Sequence, residues 1–390
     1  MRIALVVPEF PTVSETFISN KVKYLLLRNH EVIVYCNKYN KLLFKELFVK
    51  NANLKIILFS QENILKFLLL NPLSVLKAGQ NSYRKKLLSA YHIHYLNRYR
   101  PQIIHFEFSG IAVQYLNDLQ FLRAKKMMSC RGSAEKVKLL IDDKRKQKFK
   151  ELSFEIDSIH CVSQDMAETI KHYGAPGNKI YINRPAIEPD YFTRKKEYRQ
   201  TGSIQILSIG RLVFQKGFVI GLLAIKDLKN LFPHFKWIIA GEGGDREELI
   251  FHIHTLGLED HVELVGKKVK DEILKLYEES DIFFLPSVYE GIANVALEAM
   301  SMELPVVSSI NGGMEEAITH NKDGMLSPNY DHVSMTEQLY ELCTDFEKRK
   351  RLGEQARKTI EEKFSIKRYI DVFEQEYEKL VRPSHKQYSS

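Results

Sequence analysis

Residues 285–308 read Leu-Pro-Ser-Val-Tyr-Glu-Gly-Ile-Ala-Asn-Val-Ala-Leu-Glu-Ala-Met-Ser-Met-Glu-Leu-Pro-Val-Val-Ser. The apolar run from Ile282 to Leu285 predicts a buried strand, which Pro286 and Ser287 end. A short loop carries Glu290 and Gly291, a helix starts near Ala293, and Val306-Val307 opens the next strand. Strand, loop, helix and strand in that order build a parallel sheet. Such sheets bind their ligands at the carboxyl ends of the strands. Glu290 falls in that loop, and Glu298 lies about a turn and a half into the helix. Helical Cβ bonds tilt toward the N-terminus, so both carboxylates are expected to face one cavity. Ionised carboxylates only accept hydrogen bonds, which suits ligands rich in hydroxyls, such as a ribose and a hexose. The helix N-terminus beside them offers free N–H groups to an anion. These are the parts of a nucleotide-sugar site.

Glu290 and Glu298 have seven residues between them, with Gly291, Asn294 and Ala299 around them and Leu-Pro-Ser and Leu-Pro-Val-Val flanking the whole. This stretch resembles the E-x7-E motif of retaining glycosyltransferases of family 4. A second motif, Gly210-Arg211-Leu212 followed by Lys216-Gly217, is similar to the diphosphate clamp of the same family. The resemblance implies an α/β protein of two Rossmann-like lobes facing a central cleft, the GT-B fold. It implies transfer of a sugar from a nucleotide-diphosphate sugar to an acceptor hydroxyl, with retention. In that pattern Arg211 and Lys216 stabilise the leaving diphosphate, Glu290 holds sugar hydroxyls and Glu298 the ribose. Gly210 and Gly241 complete the donor side. The backbone from Gly291 through Ile292, Ala293 and Asn294 holds sugar and phosphates, and the loop at Lys268 the base. The sequence has no Asp-x-Asp and no metal-ligand cluster, so neither metal nor cofactor is expected. No residue stands out as a nucleophile or base.

The physical reading of the clamp agrees. Lys216 sits where a helix begins, and a cation there opposes the helix dipole at a cost of up to ~1 kcal/mol. An anion between the lysine and the helix N–H groups removes that penalty. Arg211, at the end of the preceding strand, can fork two phosphate oxygens. Both side chains are expected to be exposed.

The chain begins with a βαβ pattern: strand Ile3 to Val7, a helix to about Leu27, then strand Glu31 to Tyr35. Its first loop lacks G-x-G-x-x-G, which argues against a dinucleotide oxidoreductase. Thr12 and Glu15 fit a capping box there. The run Phe10-Pro11 to Ile18 also resembles a subgroup of family 4 that builds bacterial exopolysaccharide and lipopolysaccharide. In that subgroup Ser14, Glu15 and Thr16 line the cleft opposite the donor. From Lys38 to Arg100 the sequence is basic and amphipathic and says little more. Pro101 to Phe108 and Lys126 to Cys130 read as strands; His105 suits a core or a cleft equally. Where the family often has His-Gly, this chain has Arg131-Gly132, a departure; an arginine can hold phosphate or sugar oxygens. Ile159 to Val162 reads as a strand, with Ser163 capping the next helix. The expected domains are residues 1–193 on the acceptor side, 204–365 binding the donor, and 366–390 as a helix and tail crossing back. Arg194 to Ser203 is the expected linker.

The chain has 390 residues, 44% hydrophobic and 27% charged, ordinary for a protein with a sizeable core. Its four cysteines have no ligand spacing and read as isolated thiols of a reducing compartment. The N-terminal strand is not a signal peptide, and Ile64 to Leu76 is too short and interrupted to span a bilayer. Residues 1–200 hold 34 Lys and Arg against 18 Asp and Glu, a net +16, while the remainder carries a net −8. A basic half of this size points to an anionic surface. The expected setting is the cytoplasmic face of a membrane, peripherally bound, with a glycan or lipid-linked acceptor. Arg84-Lys85-Lys86, Lys125-Lys126 and Lys144 to Lys150 are expected to supply the charge, and Phe67 to Leu70 to insert. A nucleotide-sugar epimerase shares the fold but needs acid/base residues not seen here. A nucleic-acid-binding protein would interleave aromatics with the basic run, and this chain does not.

Overall fold

The computed structural model describes residues 1–12, 15–49, 51–59, 67, 83–198 and 202–382, without the side chains of 83–85 and 133. Ser14, the 68–70 segment and the side chains of residues 84 and 85 therefore lie outside the described residues. The chain divides into two compact units, residues 1–184 with 367–390, and residues 185–366.

The first unit is built from β1 (Arg2–Phe10), α1 (Thr16–Leu27), β2 (Glu31–Tyr39), α2 (Lys41–Leu47), β3 (Leu54–Leu58), α3 (Tyr83–Arg98), β4 (Ile103–Phe106) and α4 (Ser109–Ala112). β5 (Lys125–Cys130), α5 (Ser133–Lys136), α6 (Lys138–Ile141), α7 (Asp143–Glu155), β6 (Ser158–Cys161), α8 (Gln164–His172) and β7 (Ile180–Ile182) follow. All seven strands pair in parallel, in the order β3-β2-β1-β4-β5-β6-β7. Strand residues point alternately to the two faces. Ala4, Val6, Ile104, Phe106 and Met128 enter one apolar cluster with Tyr91, Phe149 and Leu152 from the helices.

The opposite face carries a polar row: His105 on β4, Ser129 on β5 and His160 on β6, all fully buried. The carbonyl of Asn183 only accepts, so His160 Nε2 must donate to it, at 2.8 Å. His160 Nδ1 then accepts from the Ser129 hydroxyl, and Ser129 Oγ accepts from His105 Nε2, both at 2.8 Å. That leaves His105 Nδ1 to accept from Lys21 Nζ at 2.9 Å and from the Tyr377 hydroxyl at 2.8 Å. One carbonyl thus fixes every tautomer along the row. Burial holds both imidazoles well below their ordinary pKa, reinforced by Lys21 at His105 and by Arg131 at His160.

Lys21 Nζ also meets Glu107 Oε1 at 2.6 Å, with both side chains wholly buried. Burial lowers the Lys21 ammonium to about 8, with Glu107 opposing. Burial alone would raise Glu107, but Lys21, His105 and Arg131 carry it well below the usual carboxylate range. The ammonium lies 3.8 Å from the Phe373 ring centroid. Phe373 and Tyr377 belong to the last helix, Ile366–Val381, which from Lys367 onward belongs to the first unit. Glu374 of that helix accepts from His30 Nε2 at 2.6 Å and also pairs with Arg28. The C-terminal helix is thus held to the first unit by Lys21 of α1, by Arg28 and His30 just after α1, and by the neutral His105 of β4.

The second unit contains β8 (Ile204–Ile209), α9 (Phe218–Leu231), β9 (Phe235–Ala240), α10 (Arg246–Thr255), β10 (Val262–Gly266), α11 (Lys270–Glu279) and β11 (Ile282–Leu285). α12 (Asn294–Ser301), β12 (Val306–Ser309), β13 (Met325–Ser327), α13 (His332–Thr344) and α14 (Phe346–Lys363) complete it, and the last helix is α15. Its parallel sheet runs β10-β9-β8-β11-β12-β13. Counted within the unit this is 3-2-1-4-5-6, the order of the first six strands of the other sheet. Both faces are buried. Ile282 and Phe284 join one apolar cluster with α9 and α13, and Phe283 and Leu285 join the other with α12 and α14. A strand buried on both faces reads as a continuous apolar run, and β11 is Ile-Phe-Phe-Leu.

Several expectations change. The stretch from Lys38 to Arg100 holds three elements, α2, β3 and α3. Thr12 is not a helix cap: its hydroxyl accepts the Glu15 N–H at 3.1 Å, but α1 starts after Glu15, whose side chain caps nothing. The division of units falls before Pro185, earlier than residue 193. Residues 194–198, expected in the linker, pack on the second unit, where the Tyr198 hydroxyl donates to the Glu303 carbonyl at 2.5 Å. Phe67 is 2% exposed and rests on Tyr91, so it is core and not free to enter a bilayer. All four cysteines are free thiols, although Cys130 and Cys161 are register partners on β5 and β6. Among the described residues no helix is long and apolar enough to cross a membrane.

Replacing Lys21 by methionine leaves the Glu107 carboxylate buried without its nearest cation. Breaking such a pair costs about 3–5 kcal/mol. Urea unfolding of Lys21→Met is expected to show a loss of that size, and a loss below about 1 kcal/mol would show that the pair does not hold α1 and α15.

Candidate functional site

In sheets with this strand order, the chain reverses direction between the first and fourth strands, and ligands bind in the crevice outside their carboxyl ends. In the second unit these strands are β8 and β11. The loop after β8 carries Gly210 to Gly217, and the loop after β11 carries Pro286 to Ala293. The sequence motifs lie on the two loops that flank the reversal.

Glycines bring these loops together. Gly217 has φ +63°, and a Cβ there would lie 2.0 Å from the Pro286 carbonyl oxygen. A Cβ on Gly241, after β9, would lie 1.8 Å from the Gly210 carbonyl oxygen. No side chain fits either place. The stem of Lys216 runs across Gly210, so that its ammonium reaches Glu290 Oε1 at 2.5 Å. The two side chains are 14% and 9% exposed. The expectation of an exposed Lys216 is therefore corrected: it pairs with Glu290 over a gap of 74 residues. Gln215, which the sequence reading passed over, ties the loops as well. Its carbonyl accepts the Val288 N–H at 2.8 Å, and its side-chain amide donates to the Tyr289 carbonyl at 3.1 Å and to Glu290 Oε2 at 3.5 Å.

Arg211 is exposed, and among the described residues its guanidinium makes no hydrogen bond or ion pair. It lies close enough to Tyr289 to oppose the rise that burial causes in that phenol's pKa. Beyond Glu290, the Ala293 N–H reaches only the Met314 sulfur, at 3.5 Å. Among the described residues the amides of Gly291, Ile292, Asn294 and Val295 have no acceptor. A loop and helix start with unpaired donors, beside one free guanidinium and a lysine paired with Glu290, can hold an anion.

Glu298, one helical turn further, is partly buried on α12. The Tyr277 hydroxyl lies 3.0 Å from Glu298 Oε2 and 3.0 Å from the Val295 carbonyl, and has one proton to give. When Glu298 is protonated it donates to the phenol oxygen, and the phenol donates to the carbonyl, satisfying all three groups. Burial raises Glu298 to about 7, against smaller pulls downward from Tyr277 and Lys270. Lys268, after β10, pairs with Glu272 at 3.5 Å. Neither Gln215 nor Tyr277 carries a sequence signal that marks it; their partners lie in other elements.

The first unit's candidates are placed differently. Arg131, expected to line the cleft where the family often has a histidine, turns inward. Its guanidinium donates to the Glu107 side chain at 2.7 Å, the Glu107 carbonyl at 3.1 Å and Ser129 Oγ at 3.3 Å, and stacks 4.4 Å from the Phe17 centroid. The amides of Arg131 and Gly132 both donate to Glu135 Oε2. Thr16 is exposed at the start of α1. Burial raises Glu15, with Arg131 opposing. Among the described residues no group of three or more His, Cys, Asp or Glu is placed to hold a metal ion.

Two family profiles match the chain, one for each unit: "Glycosyltransferase Family 4" over residues 14–191 and "Glycosyl transferases group 1" over residues 191–359. The chain belongs to the glycosyltransferases built from this pair of domains. Among its relatives, the amylovoran biosynthesis glycosyltransferase AmsK of Erwinia amylovora is 31% identical over 246 residues, 62% of this chain and 60% of that protein. The chain thus spans about 60% of the length of this curated relative. Anabaena Alr3699/HepE, solved with UDP-glucose, superposes with a TM-score of 0.79 at 15% identity, over 97% of this chain and all of the other. WaaG, a glycosyltransferase involved in lipopolysaccharide biosynthesis, gives 0.70 at 15% identity, over 97% of this chain and 99% of the other. At such identities the structures establish the fold.

Glu298 generates a pH test. Its folded pKa is raised from an ordinary 4.5 to about 7, so folding favours the protonated acid. Its stabilising contribution is complete below about pH 4.5 and is lost as pH rises through 7. Glu298→Gln, which keeps the neutral form at every pH, is expected to match the native chain near pH 4.5 and to exceed it by about 3 kcal/mol at pH 8. A pH-independent difference between the two melting curves would contradict the assignment.

Proposed function

We propose that this protein transfers a sugar from a nucleoside-diphosphate sugar to a hydroxyl of a glycan or lipid-linked acceptor, with retention and without a metal. Its place is the building of cell-envelope polysaccharide or lipopolysaccharide, at the cytoplasmic face of an anionic membrane. The observation that carries the reading is the cluster of anion-binding groups around the β8–β11 reversal: Arg211, Lys216 and the unpaired amides of residues 291, 292, 294 and 295. The relatives' names support the polysaccharide context, and a relative's UDP-glucose complex makes UDP the first nucleotide to try.

The reaction breaks the bond between the sugar's anomeric carbon and the diphosphate oxygen, and negative charge develops on that oxygen. Arg211, Lys216 and the loop amides stabilise the charge as it forms, with no reorganisation at the moment of reaction. Glu290 serves first as the counterion that keeps Lys216 aimed inward. With donor bound, Lys216 turns its charge to the phosphates, and Glu290 accepts from the sugar hydroxyls. Glu298 accepts from the ribose. The acceptor hydroxyl attacks from the leaving-group side, and its proton passes to the departing phosphate oxygen, so no protein base is required. The first unit takes the acceptor. Arg131 is not assigned to the donor, because its donors are held by Glu107 and Ser129. An epimerase or a nucleic-acid-binding protein draws no support from the site.

Thermal shift with UDP, GDP and ADP, and with their sugar conjugates, tests the reading: a ligand at 100 times its dissociation constant adds ~2.7 kcal/mol. Arg211→Ala is expected to lower turnover by on the order of 10²-fold with an unchanged melt. Lys216→Ala is expected to lose as much turnover and also some stability, because Glu290 is left buried without its cation. Near-normal turnover in both variants would remove the clamp.

A further inference from the structure

The segment between β5 and β6 carries an apolar tip that none of the described residues covers. On α6, Leu139 is 1% exposed and anchors the helix, while the next two residues, Leu140 and Ile141, are 67% and 75% exposed. Helix α7 follows at once. Its inner face buries Phe149, Leu152 and Ser153. Its outer face carries Lys144, Lys148 and Lys150, all exposed, and Lys138 stands exposed just before the tip. Among the described residues none of these four lysines has an ion pair. Four acids lie nearby: Asp142 accepts the Arg145 N–H at 3.0 Å as the helix cap, Asp143 pairs with Lys146 at 3.2 Å, Glu151 accepts from Gln147 at 3.1 Å, and Glu155 stands at the far end of α7.

We propose that this tip and the α7 lysines are the surface by which the protein docks on an anionic lipid bilayer, with Leu140 and Ile141 entering the headgroup boundary. Aliphatic side chains ringed by lysines match that boundary on both counts, since the apolar pair leaves water and the ammonium groups meet lipid phosphates. A second copy of the chain fits poorly, because a two-fold contact here would set the lysines of both copies against each other. Nucleic acid fits poorly as well: two aliphatic residues at the tip offer no ring for a base to stack on. Helix α2 also exposes apolar residues, Leu42 at 76% and Val49 at 89% beyond its end, but Glu46 stands among its two lysines. The docking surface rests on the membrane-side acceptor proposed above. Nucleotide binding measured without lipid is a separate readout, so failure here leaves the donor site standing.

Co-sedimentation of the full chain with vesicles tests it. The native protein is expected to bind vesicles of phosphatidylethanolamine and phosphatidylglycerol at low salt, and to be released at about 1 M salt, where the Debye length is about 3 Å. It is expected to ignore phosphatidylcholine vesicles. The double variants Leu140→Ser/Ile141→Ser and Lys144→Glu/Lys148→Glu are each expected to weaken binding about tenfold or more, with unchanged melting curves. Leu42→Ser/Val49→Ser is expected to bind as the native chain does. No binding by the native protein, full binding by both tip and lysine variants, or equal damage from the α2 variant would overturn the proposal. So would a dimer in gel filtration that the serine pair dissolves.

Discussion

The contact between Lys216 and Glu290 joins two loops that meet only because β8 and β11 are neighbours at the reversal of strand order. Much of the second unit serves that meeting. Parallel pairing sets the carboxyl ends side by side, and apolar burial on both faces holds the strands in register. Glycines 217 and 241 remove the side chains that would keep the loops apart. A cation and a carboxylate at hydrogen-bond distance, largely out of water, keep each other aimed. In the proposed reaction an arriving diphosphate competes for that cation and frees the carboxylate for sugar hydroxyls.

The first unit repeats the strand order but fills the corresponding position with its own charges. Glu107 follows β4 as the Glu290 loop follows β11, yet it is sealed between Lys21 and Arg131. The result is structural cohesion. The network fixes the tautomers of two buried histidines and seats Phe373 and Tyr377 of the C-terminal helix. What remains exposed on this unit is its basic surface, which fits an acceptor held at a charged interface.

Periodicity and motif spacing showed β11, α12 and β12 closely, because the two strands are short, fully buried and bounded by proline. β11 is the clearest case: Ile282 to Leu285 is apolar at every position and is followed by Pro286. β3 was invisible, since Leu54–Leu58 carries Lys55 and lies in a basic stretch without turn signals. Glu290, Glu298, Arg211 and Lys216 were legible as types at fixed spacings. Their pairing was not. Which cation meets which carboxylate depends on strand order, which brings residues 216 and 290 together from distant parts of the chain. Arg131 shows the same limit. Its position after β5 suggested a ligand contact, but a buried carboxylate 24 residues away claims it. Phe67 looked like an exposed apolar residue until the aromatic packing beneath α3 accounted for it.

The central claim is that a nucleoside diphosphate binds at the carboxyl edge of the second sheet. A crystal structure of the chain with the diphosphate that gives the largest thermal shift tests this most directly. The account predicts phosphate oxygens within hydrogen-bond distance of Arg211, Lys216 and the amides of residues 291–295. It also predicts the ribose on Glu298, and Lys216 shared with or withdrawn from Glu290. Nucleotide bound elsewhere on the chain, with the Lys216–Glu290 contact unchanged, would contradict it.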